Sequence, residues 1–352
     1  MISNSDAARV PQQHAPSSEA AAAVREGVFI LEGALPLFFG GELSTVQFAW
    51  RLSGNSSGPV VAALGGISAG RHVYGDKGEP AGWWEGVVGP HRALDAARFQ
   101  ILGIDYLGGS GATTGPRPGD KDFPSLSAYD QARLLHLLLQ HLQIPALHAI
   151  VGASYGGMVA LAFAQRYPQS VRRIIVISAA DRAHPMSTAW RSVQRAVVRY
   201  AAGKGEGPEG LKLARALAMA TYRTPQEFAQ RFGDEALRAD KAFQFPVESY
   251  LYARGDLYAS QYVPEAFVCL SESIDLHRVN PAEIKVPTIL IAVREDQLVP
   301  LADMIALRGA LGGEVEWIEL SSLYGHDAFL KESAALQSVF DRVLQPDSVG
   351  KR

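Results

Sequence analysis

Short apolar runs alternate along the chain with stretches of helical periodicity. Val60–Leu64, Phe99–Ile104, His148–Val151, Ile174–Ile177, Thr288–Val293 and Val315–Leu320 read as strands. Several are almost continuously hydrophobic, as strands covered on both faces must be. Leu126–His141 and Met158–Tyr167 read as helices, and the second stops where Pro168 forbids continuation. Strands separated by helices predict an α/β protein with a mostly parallel central sheet flanked by helices.

The alternation breaks from about Arg182 to Arg278. Here Thr188–Ala202, Leu211–Tyr222, Thr224–Phe232 and Phe245–Arg254 are helical in character and lie between two strand candidates. Such an insertion predicts a helical lid over the carboxyl ends of the strands, where open α/β sheets place their active sites. Gly203-Lys-Gly-Glu-Gly207 reads as a loop inside the lid and matches no phosphate-cradling motif. The expected organisation is a disordered arm over 1–24, a first core part over 25–181, the lid over 182–280, a second core part over 281–345 and a polar tail from 346 to 352. The arm is rich in Ala, Ser and Gln and carries Pro11 and Pro16. No internal repeat interrupts this plan.

Composition narrows the function. The 352 residues include 33 Lys and Arg against 36 Asp and Glu, a net charge of −3, which argues against a nucleic-acid groove or an anionic-membrane surface. No apolar run reaches the roughly 18 residues of a membrane span. Residues 1–24 lack the basic start and apolar core of a secretory signal, so the expected location is cytoplasmic. The single cysteine, Cys269, excludes an intramolecular disulfide, and within Ala-Phe-Val-Cys-Leu it reads as a buried thiol. The nine histidines are scattered without a helical His-x-x-x-His pair, so no metal site is expected.

The sharpest local signal is Gly152-Ala153-Ser154-Tyr155-Gly156, with a predicted strand running into it and a predicted helix running out. That setting is a nucleophile elbow, a turn too sharp for side chains beside the exposed serine. Serine needs an adjacent base, and elbow enzymes supply acid and base in the order Ser, Asp or Glu, His. Thr288–Val293 ends in Arg294-Glu295-Asp296, which makes Asp296 the expected acid, with Glu295 and Asp327 as neighbours that could compete. His326, in Tyr324-Gly-His-Asp-Ala-Phe329, is the one histidine after that point and the expected base. The expected oxyanion donors are the backbone N–H groups of Tyr155, after the nucleophile, and of Ile67, in the glycine-rich loop after Val60–Leu64.

These residues resemble the homoserine O-acyltransferases of the α/β-hydrolase fold, from about residue 40 onward. The resemblance rests on a set of motifs in order: Gly82-Trp-Trp-Glu-Gly-Val-Val-Gly-Pro90 with Ala93-Leu-Asp95, Thr113-Thr-Gly-Pro116, the elbow, Thr221-Tyr-Arg223, Phe245-Pro-Val-Glu-Ser-Tyr-Leu251 and Tyr324–Phe329. It implies a triad of Ser154, Asp296 and His326, with Arg223 for the substrate carboxylate and Asp327 for its ammonium. It also implies an α/β-hydrolase fold, no tightly bound cofactor, acyl-CoA as co-substrate, L-homoserine as acceptor, and a homodimer.

Two departures bear on detail. Tyr155 stands where the family more often has Met, which touches the shape of the substrate tunnel. Glu265-Ala-Phe-Val-Cys-Leu270 replaces a usual Asn-Ser-Tyr-Leu stretch of the lid. Succinyl-using members tend to carry an arginine shortly after the catalytic aspartate. Leu298 near that place tilts the donor toward acetyl-CoA, unless Arg294 or a lid arginine supplies the charge. The expected activity is acyl transfer from acetyl- or succinyl-CoA to L-homoserine for methionine biosynthesis, through an acyl-serine. Serine as acceptor is a variant of this reading. An esterase or thioesterase is the alternative, since fold alone does not separate the two.

Overall fold

The computed structural model describes residues 24–345 apart from 76, 77, 121, 234 and 241; all but the last residue of the arm expected over 1–24, and the tail expected from 346, lie outside that range. Eight strands form the central sheet: β1 (Arg25–Leu31), β2 (Val46–Gly54), β3 (Val60–Leu64), β4 (Gln100–Ile104), β5 (Ala149–Ala153), β6 (Ile174–Ile177), β7 (Thr288–Val293) and β8 (Val315–Leu320). Their spatial order is β1-β2-β4-β3-β5-β6-β7-β8. From β4 to β8 every pairing is parallel, while β2 runs antiparallel to both β1 and β4. This is the mostly parallel, helix-flanked sheet that the hydrophobic pattern predicts.

The antiparallel pair β1–β2 is not among the predicted strands, and the reason is local. β2 carries Gln47, Arg51 and Ser53 and so lacks a continuous apolar run. Arg51 is nonetheless buried, because carboxylates of Glu26 and Glu79 flank its guanidinium. The inner strands β6 and β7 are buried at every position. Helices cover both faces, and two apolar clusters result, one centred on Leu135, Phe163 and Leu290 and the other on Trp84, Phe99 and Phe340.

Helix boundaries follow from capping and close packing. α1 (Ala128–His141) starts after Ser127, whose hydroxyl and backbone N–H exchange hydrogen bonds with the Asp130 N–H and carboxylate. α2 (Tyr155–Arg166) starts directly after Ser154, three residues before the predicted Met158. Two glycines open it because the backbone approaches β3: a Cβ on Gly156 would fall 2.2 Å from the Leu64 carbonyl oxygen.

The insertion comprises α3 (Pro185–Ala202), α4 (Gly207–Tyr222), α5 (Pro225–Arg231), a short hairpin of Leu237–Ala239 with Ala242–Gln244, α6 (Pro246–Ala259) and α7 (Pro264–Asp275). Its two ends are pinned together by an antiparallel bridge between Arg182 and Arg278 and by the Val279 N–H donating to the Asp181 carbonyl at 3.0 Å. Only part of the glycine-rich segment is loop, since Gly207 already opens α4 with Pro208 behind it. α7, unpredicted, carries Cys269, whose thiol is buried and pushed up to about 12 by burial and by Glu272. The lid has a small core of its own (Val198, Leu211, Ala214, Tyr258, Phe267).

Tyr155 ties lid to core. Its ring is fully buried against Tyr106, with centroids 5.0 Å apart, and its hydroxyl lies 2.7 Å from Ser273 Oγ of α7. Tyr155→Phe should therefore lower stability to chemical denaturation by about 1–2 kcal/mol, because Ser273 is left buried without its partner. An unchanged midpoint in denaturant titration would show that this bond does not hold the lid.

Candidate active site

A cavity of about 230 Å³ lies between the lid and the carboxyl ends of the core strands, with Ser154 and His326 on its wall. The strand order reverses at β3, whose neighbours are β4 and β5, and crevices at such switch points are where α/β sheets bind ligands. Ser154 has φ 55° and ψ −121°, a conformation that side-chain-bearing residues rarely adopt. It is held by its N–H donating to the Ile177 carbonyl at 2.9 Å and by the Gly156 N–H donating to the Gly65 carbonyl at 2.8 Å. The first bond anchors the turn to β6 and the second to the loop after β3.

The structure brings Ser154, His326 and Asp296 into one chain of hydrogen bonds. His326 Nε2 is 2.9 Å from Ser154 Oγ, and its Nδ1 is 2.7 Å from Asp296 Oδ2. Asp296 Oδ1 accepts from the backbone N–H groups of Leu298 and Val299 at 2.8 and 3.0 Å, which fixes the carboxylate. Glu295 is turned elsewhere, onto Ser321 and the Ser322 N–H. His326 sits on a 3-10 turn whose Gly325 has φ 52°. Burial by itself would lower the His326 pKa, but the charge and hydrogen bond of Asp296, with Asp327 adding to them, raise it above 6.5.

The expected oxyanion donors lie beside this chain. Tyr155 is the first residue of α2, where backbone N–H groups have no partner within the helix, and Ile67 lines the cavity. Trp83 also lines it, donating its indole N–H to the Gly70 carbonyl at 2.9 Å, while Trp84 stacked behind it is core. The Tyr155 side chain points into the core, so the departure at that position leaves the cavity wall alone.

Charge placement differs from expectation at Arg223. Asp327 lines the cavity, but Arg223 does not. Arg223 is buried behind Asp327, with its Nε donating to Asp327 Oδ2 at 2.8 Å and Glu227 at 3.4 Å from its Nη1. A guanidinium that does line the wall is Arg215 of α4, stacked over Tyr258 at 4.7 Å and Tyr222 at 5.3 Å. Burial opposes its charge, and Tyr222, Tyr258 and Asp327 outweigh that and raise its pKa. Among the described residues no carboxylate is hydrogen-bonded to it.

A second wall guanidinium is Arg191 of α3, which shares the carboxylate of Asp275 with Arg195. Two cations on one carboxylate leave excess positive charge at that end. Leu298 is on the wall as an apolar residue, and Arg294 is ion-paired with Glu319 and exposed, away from the cavity. Arg182, just before α3, lines the cavity as well. Of the three wall arginines, Arg215 was visible in the sequence as a charge on the apolar stripe of a lid helix. Arg215 falls among Leu211, Ala214 and Ala218, whereas Arg191 shares a largely polar face with Ser187, Gln194, Arg195 and Val198, which gave no such signal. Among the described residues no cluster of His, Cys, Asp or Glu could hold a metal ion, and no helix is long and apolar enough to cross a membrane.

Residues 60–333 match the family model of the α/β-hydrolase fold. The homoserine O-succinyltransferase of Xanthomonas campestris pv. campestris is 39% identical over 94% of this chain and 86% of its own. The serine O-succinyltransferase of Litchfieldella anticariensis is 36% identical over 86% of this chain and 94% of its own. The crystal structure of homoserine O-acetyltransferase from Bacillus anthracis superposes with a TM-score of 0.82 at 20% identity, covering 92% of this chain and 98% of that one. With the fold model spanning most of its length and such relatives matched nearly end to end, the chain belongs to the homoserine O-acyltransferase family of the α/β-hydrolase fold.

Proposed function

We propose that the protein transfers an acyl group from acyl-CoA to L-homoserine, forming O-acyl-L-homoserine for methionine biosynthesis, by way of an acyl-Ser154 intermediate. The observation that carries this reading is the pair of opposite charges, Arg215 and Asp327, on the wall of the cavity that holds Ser154 and His326. A plain esterase has no need of such a pair, whereas a zwitterionic amino acid does: its carboxylate suits the guanidinium and its ammonium the carboxylate. Arg223 then acts through Asp327, fixing its Oδ2 and leaving Oδ1 for the ammonium.

In the first half-reaction Ser154 Oγ attacks the thioester carbonyl while His326 Nε2 takes its proton. The developing oxyanion is held by the N–H groups of Tyr155 and Ile67. Collapse breaks the carbon–sulfur bond, and His326 returns the proton to the CoA thiolate. In the second half the homoserine hydroxyl attacks the acyl-serine, His326 takes the hydroxyl proton, and collapse returns that proton to Ser154. The lid keeps water from the acyl-enzyme, which would otherwise hydrolyse. The excess positive charge at Arg191 supports succinyl-CoA as donor, since the distal carboxylate of a succinyl group needs a cation that an acetyl group does not. Arg191 would fill the role that Leu298 cannot.

Free thiol release from succinyl-CoA and acetyl-CoA, each with and without L-homoserine, tests the reading. Release should depend on homoserine and be faster with succinyl-CoA; release indifferent to any amino acid would mean a thioesterase, and L-serine preferred over homoserine would move the acceptor. Ser154→Ala should lose about four orders of magnitude or more in kcat.

Arg215→Gln should raise KM for homoserine by about 10- to 100-fold with a smaller effect on the donor, the scale of losing a charged hydrogen bond. Equal rises for both substrates would remove Arg215 from the acceptor site.

The pH dependence has a definite sign. Protonated His326 cannot accept the serine proton, so kcat/KM rises with pH through its pKa, and the midpoint of that limb should lie above 6.5. A midpoint below 6.5 would show that burial wins over Asp296.

A further inference from the structure

We propose that the groove beside the catalytic cavity binds the nucleotide end of the acyl-CoA donor. The inference rests on the acyl-CoA reading above and assigns the place where the far end of that molecule docks. The groove is about 780 Å³ and shares Arg182, Ala183, His184 and Asp303 with the wall of the cavity. The groove therefore adjoins the cavity that holds the reacting serine, within reach of the arm of a long thioester.

Three features of the groove match three parts of coenzyme A. The first is a pair of cations. Arg182 and Arg278 are direct cross-strand partners in the bridge that closes the base of the lid, and both are exposed. Like charges placed opposite one another destabilise a pairing unless an anion lies between them. Local carboxylates do little to relieve this: Asp181, the chain neighbour of Arg182, stands 4.0 Å from its Nε, and Asp275 is taken by Arg191 and Arg195. The phosphates of the nucleotide would supply the missing charge. Asp303 lies at the seam between groove and cavity, where the uncharged pantetheine would pass.

The second feature is a pair of exposed rings on a rigid turn. Phe38 and Phe39 are 46% and 49% exposed and meet edge to face at 5.1 Å. The Phe38 N–H donates to Asp130 Oδ1 at 2.8 Å, its ring stacks on Tyr129 at 4.6 Å, and the Leu37 N–H closes the turn onto the Gly41 carbonyl at 3.0 Å. Aromatic rings held toward solvent at so fixed a place form a platform for a purine. The third is His277, which is 3% exposed. Its Nε2 bonds the Ala180 carbonyl at 3.2 Å and so carries the proton, and burial lowers its pKa to about 4. Its Nδ1 is left as a buried acceptor without a partner. An amide N–H of the pantetheine arm would satisfy it.

The test compares the wild-type protein with the double variant Phe39→Ala/Arg278→Ser on succinyl-CoA and on S-succinyl-pantetheine, which lacks the nucleotide. KM for succinyl-CoA should rise by about tenfold or more, while kcat/KM for S-succinyl-pantetheine should stay within about twofold. Adenosine 3′,5′-bisphosphate should bind the wild-type protein in calorimetry, and the double variant should lose that binding. Equal changes with both thioesters, or no change with either, would overturn the proposal. If the wild-type protein turned over neither thioester, the acyltransfer reading would fall, and bisphosphate binding would still decide the groove by itself.

Discussion

The backbone of Ser154 is the constraint on which the site depends. A left-handed φ on a residue with a side chain costs roughly 1–3 kcal/mol and persists only where its surroundings leave no alternative. Here those surroundings are β6, which takes the Ser154 N–H, and the loop after β3, which takes the Gly156 N–H. The close approach of α2 to the Leu64 carbonyl leaves no room for a side chain at position 156. The same packing puts the start of α2 next to the glycine-rich loop that carries Ile67. The strained serine, the two amides proposed as oxyanion donors and the switch point of the sheet are thus one piece of geometry rather than three separate devices.

Charge divides the work between core and lid. The core supplies the hydrogen-bonded chain from Ser154 through His326 to Asp296; backbone contacts fix Ser154 and Asp296, and the two of them hold the imidazole. The lid supplies Arg191 and Arg215, which face the cavity from α3 and α4; the inward face of α4 is otherwise apolar or small, while that of α3 also carries Gln194 and Arg195. Burying guanidiniums is unfavourable without partners. Arg191 has Asp275, while Arg215 has tyrosine rings in place of a carboxylate. In the proposed reaction the substrate carboxylate completes that second site. Tyr155 couples the halves, since the residue whose N–H would face the oxyanion also bonds α7 through its hydroxyl.

Much of this was legible in the sequence, and the exceptions have physical causes. The inner parallel strands were visible because burial on both faces demands uninterrupted apolar runs, and the elbow because its glycines flank a serine between strand and helix. β1 and β2 were not, because an antiparallel pair at the edge tolerates Arg51 once Glu26 and Glu79 are brought to it from distant positions. Asp296, His326 and Ser154 were identified from chain order and sit within hydrogen-bonding distance of one another. Arg223 shows the limit of such reasoning: a motif gives a residue's neighbours in sequence, not which of two arginines eight positions apart reaches the cavity. Arg215 does so because it lies on the inward stripe of α4, whereas Arg223 lies beyond the end of that helix.

A ping-pong route requires the acyl group to sit on Ser154 before any acceptor arrives, and a water-excluding lid requires it to stay there. Intact-protein mass spectrometry after mixing with succinyl-CoA alone tests both at once. The protein should gain the mass of one succinyl group, mapped to Ser154, that is stable until L-homoserine is added and then disappears as O-succinyl-L-homoserine forms. No adduct, or an adduct that water clears as fast without homoserine as with it, would rule out a shielded acyl-serine intermediate.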